Sequence, residues 1–406
     1  SMLLVRTLRR PAAPLLPRLA SATLRARSTA TLDDDVPLPS VKPSVTPDVL
    51  RASANKMLDA YTRLQRPDGS LEGFDDPCHY CKLPNALAWG GRIKEADAML
   101  DHCVNTFLRP NGDFTASPTA EAAAPQSQKT IHWEFYDFYA YLNQWWITAG
   151  VRLSRSDFVH RAASYVLKHW HNEAIHAGCL QAPLGSGRHE NCIFTSAHLG
   201  FTLLHAGAPA EAERIGRTIV AMVAKQPSLA ELKYYNRFDD SLELLTSFAP
   251  DDPGVKLAAI VDGTKPDQCW WSLGYPVAFL AHLHLHTGDP DFLATAENIL
   301  EFVGRCDDDV RNNIVAHKVM WGASLVGAIT GKREHWELVR HIAGHILTAQ
   351  AECGRVMDWK WERGPDGVTP TEYGAAQLID QTGEIAYWFF VVARQMEKAE
   401  LAGKLA

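Results

Sequence analysis

A chain of 406 residues with 46% hydrophobic content and 12 Trp has material for a large core, while its net charge of −7 disfavours nucleic acid and anionic membrane surfaces as partners. Charge, His or Gly breaks every apolar run before the ~18–20 residues that cross a bilayer, so no integral membrane segment is expected. Eight Cys in a chain this long read as thiols, not as a disulfide framework.

Residues 1–32 hold six Arg (6, 9, 10, 18, 25 and 27) and no Lys, Asp or Glu. That composition is expected of an organelle transit peptide, mitochondrial first and plastid as the alternative. Without those six Arg, 34 basic side chains face 47 acidic ones. Residues 33–47 form a Pro/Ser/Thr-rich linker.

From Thr46 onward apolar residues recur at i, i+3, i+4 and i+7, and strand-like alternation is scarce. The expected fold is therefore all-α, with one domain over residues 48–400. The helices come in pairs beginning near Cys78, Trp133, Glu190, Trp270 and Val319. In each, an aromatic-rich helix meets a short Gly-containing turn (WGGRIKEA, TAGVRLSR, HAGAPAEA, HTGDPDFL, ITGKREHW) and then a charged amphipathic helix. A last helix, TGEIAYWFFVVARQMEKAEL, closes on the first, DVLRASANKMLDAYTRLQ, which makes six hairpins, enough for a ring. RPDG at 66–69 and RPNG at 109–112 then end outer helices and turn the chain inward, with AGCLQAPL and ECGRVMDW in equivalent places.

With its Q-x-x-D-G turn (Gln65, Asp68, Gly69), this pattern over about residues 48–396 resembles the (α/α)6 toroids. These include terpenoid cyclases, protein prenyltransferase β-subunits, and six-hairpin glycosidases and sugar 2-epimerases. Leu71 stands where the cyclase repeat has an aromatic, and the cyclase acid motif D-x-D-D is absent. The resemblance implies a central cavity at whose mouth the inner-helix starts converge.

Those starts are rich in chemistry. Glu134, Asp137 and Tyr141 share a helix face by spacing, as do Gln381, Glu384 and Trp388, with Asp380 one turn before Glu384. His189, Cys192 and Ser196 form a third such set. A carboxyl against Trp or Tyr has its pKa raised and serves as a general acid. Glu134, Asp137, His189, Cys192, His317, Asp380 and Glu384 are thus the catalytic candidates. His79, Tyr80, Trp133, Tyr141, Trp270, Trp271, Tyr275, Lys318, Trp321, Gln381 and Trp388 are expected to hold substrate.

Cys78-His79-Tyr80-Cys81 is a C-x-x-C without a second ligand pair at finger spacing, so metal is the minor reading. Resemblance to the prenyltransferases implies Asp76, Cys78 and His317 as its ligands. His282, His284 and His286 read as cations at a helix C-terminus, His341 and His345 as surface, and DDSLE (Asp239, Asp240, Glu243) as an N-cap. LGSGRHEN, with Arg188, offers an unspecific anion site. No dinucleotide fingerprint, G-x-S-x-G elbow or H-E-x-x-H is present.

The expected function is a cofactor-free cyclase, isomerase or lyase acting by acid/base chemistry on a terpenoid or other largely apolar small molecule. The alternatives are a glycoside hydrolase or 2-epimerase, and a toroid that binds without turnover.

Overall fold

The computed structural model describes residues 43–116, 129–130, 135, 138–180, 190–248, 259–356 and 372–405, with side chains of the last segment from 378. The transit-peptide reading, LGSGRHEN up to His189, and Trp133, Glu134 and Asp137 lie outside them.

Twelve α-helices are present among the described residues. Six form an inner ring: α2 (Leu83–Trp89), α4 (Ala140–Arg152), α6 (Ile193–His205), α8 (Trp271–Thr287), α10 (His317–Thr330) and α12 (Glu372–Leu401). Each packs on the next, and α12 packs back on α2. Six lie outside: α1 (Pro47–Thr62), α3 (Ile93–Phe107), α5 (Ser156–Trp170), α7 (Pro209–Ala224), α9 (Pro290–Arg305) and α11 (Arg333–Thr348). As the sequence predicts, α12 pairs with α1.

Sequence sorts the two rings by burial. The inner helices are apolar nearly all round, and α4, α6 and α10 bury every residue from Ala140 to Gly150, Ile193 to Leu203 and His317 to Gly327. The outer helices carry one apolar stripe and a solvated charged face. Starts are set by caps: the Thr46 and Asp289 side chains accept from Val49 N and Asp291 N, each followed by Pro at the first helical position. Gly288 and Gly331, both left-handed, end α8 and α10 in the predicted turns.

The RPDG and RPNG motifs are one device. Bridges Gln65↔Leu71 and Leu108↔Phe114 close seven-residue hairpins, and Phe238↔Leu244 and Gln350↔Val356 repeat the spacing. A β-carbon on Gly69 would sit 1.9 Å from Ala98 O, and one on Gly112 would sit 2.4 Å from Arg161 O, so each tip presses its backbone onto the next outer helix. ECGRVMDW does the same through Gly354. AGCLQAPL does not, because Ala177–Gly178 is strand and the turn precedes it. DDSLE caps no helix: Asp239 accepts from the N–H groups of Ser241 and Glu243 inside the Phe238↔Leu244 turn.

Asp113, just after RPNG, anchors its loop. Its carboxylate meets Lys129 Nζ at 2.6 Å, Tyr139 OH at 2.5 Å and Tyr165 OH at 3.1 Å, with Lys129 fully buried. Short strands pair as β1 (His171–Asn172) with β2 (Ala177–Gly178), β3 (Asn191–Cys192) with β5 (Arg237–Phe238), and β4 (Lys233–Tyr235) with β6 (Ile260–Asp262), all antiparallel.

Candidate active site

Five inner helices bring polar and aromatic side chains together around Glu384, which is 1% exposed. Asp380, Glu384 and Trp388 follow one another at four-residue steps on α12, so they line one face. Lys82, the residue before α2, places Nζ 2.5 Å from Asp380 Oδ2 and 2.5 Å from Glu384 Oε2. Lys318, in the first turn of α10, places Nζ 2.9 Å from Glu384 Oε1. Tyr141 OH donates to Glu384 from 3.2 Å and Trp388 Nε1 from 3.1 Å. Every lone pair of that carboxylate is engaged.

His317 completes the group. Its Nδ1 donates to Ile314 O at 2.8 Å, which leaves Nε2 with a lone pair 3.3 Å from Lys318 Nζ and 3.4 Å from Glu384 Oε1. Lys318 therefore bridges a neutral imidazole and a carboxylate. Gly274 makes room for this, since a β-carbon there would stand 2.1 Å from the Lys318 carbonyl carbon.

Aromatic rings wall the cluster. Trp321 stacks on Trp388 at 3.8 Å, Tyr275 meets Trp321 edge-on at 5.2 Å, and Phe135 stacks on Tyr141 at 5.5 Å. Lys318 Nζ lies 5.5 Å from the Trp271 ring and Lys82 Nζ 5.3 Å from the Tyr141 ring, within cation–π range.

The electrostatics reverse one expectation. Burial pushes the Glu384 carboxyl up, but Lys318, Lys82 and His317 outweigh it and hold its pKa well below the usual range. That balance favours the carboxylate form of Glu384. Asp380 is the carboxyl whose pKa rises, through burial, with Lys82 opposing and Glu384 assisting. Burial lowers Lys318, against the pull of Glu384 and with the push of Lys82. For Lys82 burial is overcome by Asp380 and Glu384, and the pKa rises. His317 is lowered by burial and then by Lys318.

Of the sequence candidates, the structure thus joins Tyr141, Trp271, Tyr275, His317, Lys318, Trp321, Asp380, Glu384 and Trp388. Others go elsewhere. Tyr80 OH accepts from Leu71 N and donates to Phe74 O, which pins the RPDG hairpin, and its ring packs on His102 and Phe107. Trp270 turns away to donate to Asp309. Cys192 pairs with Arg237 in the β3–β5 ladder, and Ser196 accepts from Gly178 N. His79 accepts from Asp76 N in a capping box and packs on Phe74. Gln381 is half-buried, with an Oε1 that has no hydrogen-bond partner among the described residues.

The metal reading of Asp76, Cys78 and His317 does not fit. Asp76 accepts from Cys78 N and Thr130 Oγ1, His317 is committed to the Glu384 cluster, and among the described residues these three form no ligand group. Burial raises both Cys78 and Cys81, so the thiols stay protonated; Cys81 lies against Asp380 at 3.8 Å. Nor is His282 a helix-terminal cation, because burial and then His205 lower its pKa to about 3.

Sequence reasoning missed Lys82, Trp145, Phe194 and His198. Trp145 contacts Trp388 at 5.7 Å and His198 contacts Tyr275 at 4.4 Å. Lys82 and Phe194 sit at inner-helix starts, the position that marked the others, whereas Trp145 and His198 lie mid-helix, one turn further in.

No protein-family profile and no curated protein sequence matches the chain. Solved structures do. A D-mannose isomerase gives a TM-score of 0.59 at 10% identity, over 86% of this chain and 98% of its own. A family 76 glycoside hydrolase from a bovine Bacteroides thetaiotaomicron strain gives 0.53 at 11% identity, over 85% and 78%. A type II terpene cyclase from Scytonema gives 0.51 at 10% identity, over 86% and 100%. The chain has the (α/α)6 toroid fold. At such identities the likeness is one of architecture, and the toroid's chemistry has to be argued from its own residues.

Proposed function

We propose that this toroid is an enzyme of the isomerase or lyase kind, cyclases included, which moves a proton on a small molecule held against the aromatic wall. What carries the reading is Lys318 between His317 Nε2 and Glu384 Oε1, because that arrangement pairs a lone-pair base with a buried cation whose proton is loosened by desolvation. In this reading His317 takes a proton, Lys318 delivers one or steadies a developing oxyanion, and Glu384 holds both in place. Asp380, with its raised pKa, is the second acid. The rings of Trp271, Trp321 and Trp388 accept an apolar or flat face and stabilise positive charge on it. Two ammonium groups ask for an electron-rich oxygen on the same molecule. A wholly hydrocarbon substrate would leave them unanswered.

A sugar substrate is the second reading. Stacked Trp321 and Trp388 beside a neutral imidazole suit an aldose–ketose proton transfer, and a D-mannose isomerase is among the structural neighbours. A glycosidase mechanism has less support from Asp380 and Glu384, since Lys82 bridges both carboxylates and Glu384 is held ionised.

The test is deuterium wash-in. The full chain is incubated in D2O with D-mannose and D-fructose, and separately with isoprenoid alcohols and aldehydes, and proton NMR follows exchange and product. Exchange at one carbon is expected with one of these classes, reduced by about 10²–10⁴-fold in Lys318→Met and Glu384→Gln proteins that keep their circular dichroism. Undiminished turnover in both variants would overturn the assignment. So would a tightly held co-purified ligand that mass spectrometry shows to be chemically unchanged by the protein.

A further inference from the structure

On the outer wall, away from the Glu384 cluster, a second set of side chains converges. The hairpin of β1 and β2 carries His171 and His176, and the first turn of α7 carries Glu211. One ligand atom from each falls within 4.8 Å of the others, the only group of this kind among the described residues. His176 Nδ1 lies 2.9 Å from Glu211 Oε1, and His171 Nε2 lies 3.0 Å from the same oxygen.

Two details go beyond an ordinary ion pair. The His171 side chain is only 6% exposed, and its Nε2 sits against the carboxylate without a well-aligned hydrogen bond. A ring nitrogen and a carboxylate oxygen placed this way offer two ligand atoms to one cation. His176, for its part, holds a left-handed backbone (φ 49°), which a side chain adopts at a cost and which turns this ring toward Glu211.

The surroundings hold the three groups in register. Thr218 Oγ1, two turns along α7 from Glu211, donates to Ile175 O at 2.7 Å and so ties the hairpin tip to the helix. Arg214 Nε occupies the other Glu211 oxygen, Oε2, at 2.8 Å, which orients the carboxylate and leaves Oε1 toward the imidazoles.

We propose that His171, His176 and Glu211 form a binding site for a divalent transition-metal ion of the zinc kind. Two imidazoles and one carboxylate are a borderline donor set that favours Zn(II), Co(II) or Ni(II) over the oxygen-seeking Mg(II) and Ca(II), and three protein ligands leave a position for water. Bound there, the ion cross-links the β1–β2 hairpin to α7. The proposal stands apart from the central chemistry and shares no residue with it.

Metal-stripped full chain is titrated calorimetrically with zinc chloride and, in parallel, with cobalt(II) chloride followed by visible absorption. One ion per chain, a rise in Tm with zinc, and cobalt bands of low-symmetry nitrogen/oxygen coordination are expected. His176→Asn is the variant of choice because Asn tolerates the left-handed backbone and the ring is partly exposed, so the fold survives. It should weaken binding by at least tenfold, whereas Cys78→Ser/Cys81→Ser should not. Absence of zinc binding, or binding untouched by His176→Asn, would refute the site.

Discussion

Glu384→Gln removes one negative charge from the point where two ammonium groups converge, while keeping the side-chain volume. Lys82 Nζ and Lys318 Nζ stand 2.5 and 2.9 Å from its two oxygens, and none of the three side chains exceeds 6% exposure. Removing one partner of a buried pair costs about 3–5 kcal/mol, because the survivor is left charged where water cannot reach it. Lys82 retains Asp380, but Lys318 has its ion pair with Glu384, so Lys318 carries the loss. Since burial already lowers its pKa, shedding the proton is the cheapest relief, which places the expected cost near 3 kcal/mol at neutral pH. Urea unfolding followed by circular dichroism measures this as a lower midpoint at unchanged slope. The pH dependence has a fixed sign. Glu384 titrates lower when folded than its ordinary 4.5, so its stabilisation is fully present above that value and is lost only as pH falls through the depressed folded pKa. Because a variant that folds with Lys318 neutral must release a proton that the unfolded chain keeps, the gap between the two proteins should be no smaller at about pH 4.5 than at neutrality, and the parent's advantage from Glu384 should fade only in stronger acid. A variant within about 1 kcal/mol (roughly a fivefold change in the folding equilibrium) of the parent at pH 7 would refute the claim that the carboxylate balances buried cations.

Lys129→Met should destabilise by about 3–5 kcal/mol, read by thermal or urea unfolding, because it strands Asp113 beside two tyrosines; a change below 1 kcal/mol, roughly, would show that the pair is dispensable. Gly69→Ala and Gly73→Ala share a left-handed backbone, but a β-carbon at 69 strikes Ala98 O whereas one at 73 meets nothing within 4 Å. The first should cost several kcal/mol and the second about 1; equal costs would refute the close packing of the turn on α3. His282 titrates near 3 in the fold and near 6.5 when unfolded, so stability is lost as pH falls across that window, by at most ~1.4 kcal/mol per pH unit, less for the part of the ring that solvent reaches. His282→Gln should move the acid-unfolding midpoint to lower pH, and an unmoved midpoint would show that another group governs it.

Much of the candidate site was legible because helix spacing is rigid. Asp380, Glu384 and Trp388 fall on one face whatever surrounds α12, and His317–Lys318 mark the start of α10 by sequence order alone. Lys82 was not legible. Its partner Asp380 lies 298 residues away, and a lysine between a Cys and a Leu-Pro gives no local sign of burial. Tyr80 failed for another reason: Pro77–His79 is a tight 3-10 turn, so the four-residue rule of an α-helix does not apply there and the ring swings toward α3. Trp270 and Trp271 are adjacent and chemically alike, yet the first caps toward Asp309 and the second faces Lys318.

By itself, then, the sequence determined the helices, their pairing, most of the turns between them and which ends carry polar side chains, because caps, glycines and the period of apolar residues are local properties of the chain. Tertiary structure alone decided the charge states. Whether Glu384 is an acid or an anion depends on which ammonium groups close upon it in the absence of water, and those come from the residue before α2 and the first turn of α10, the two ring helices that flank α12.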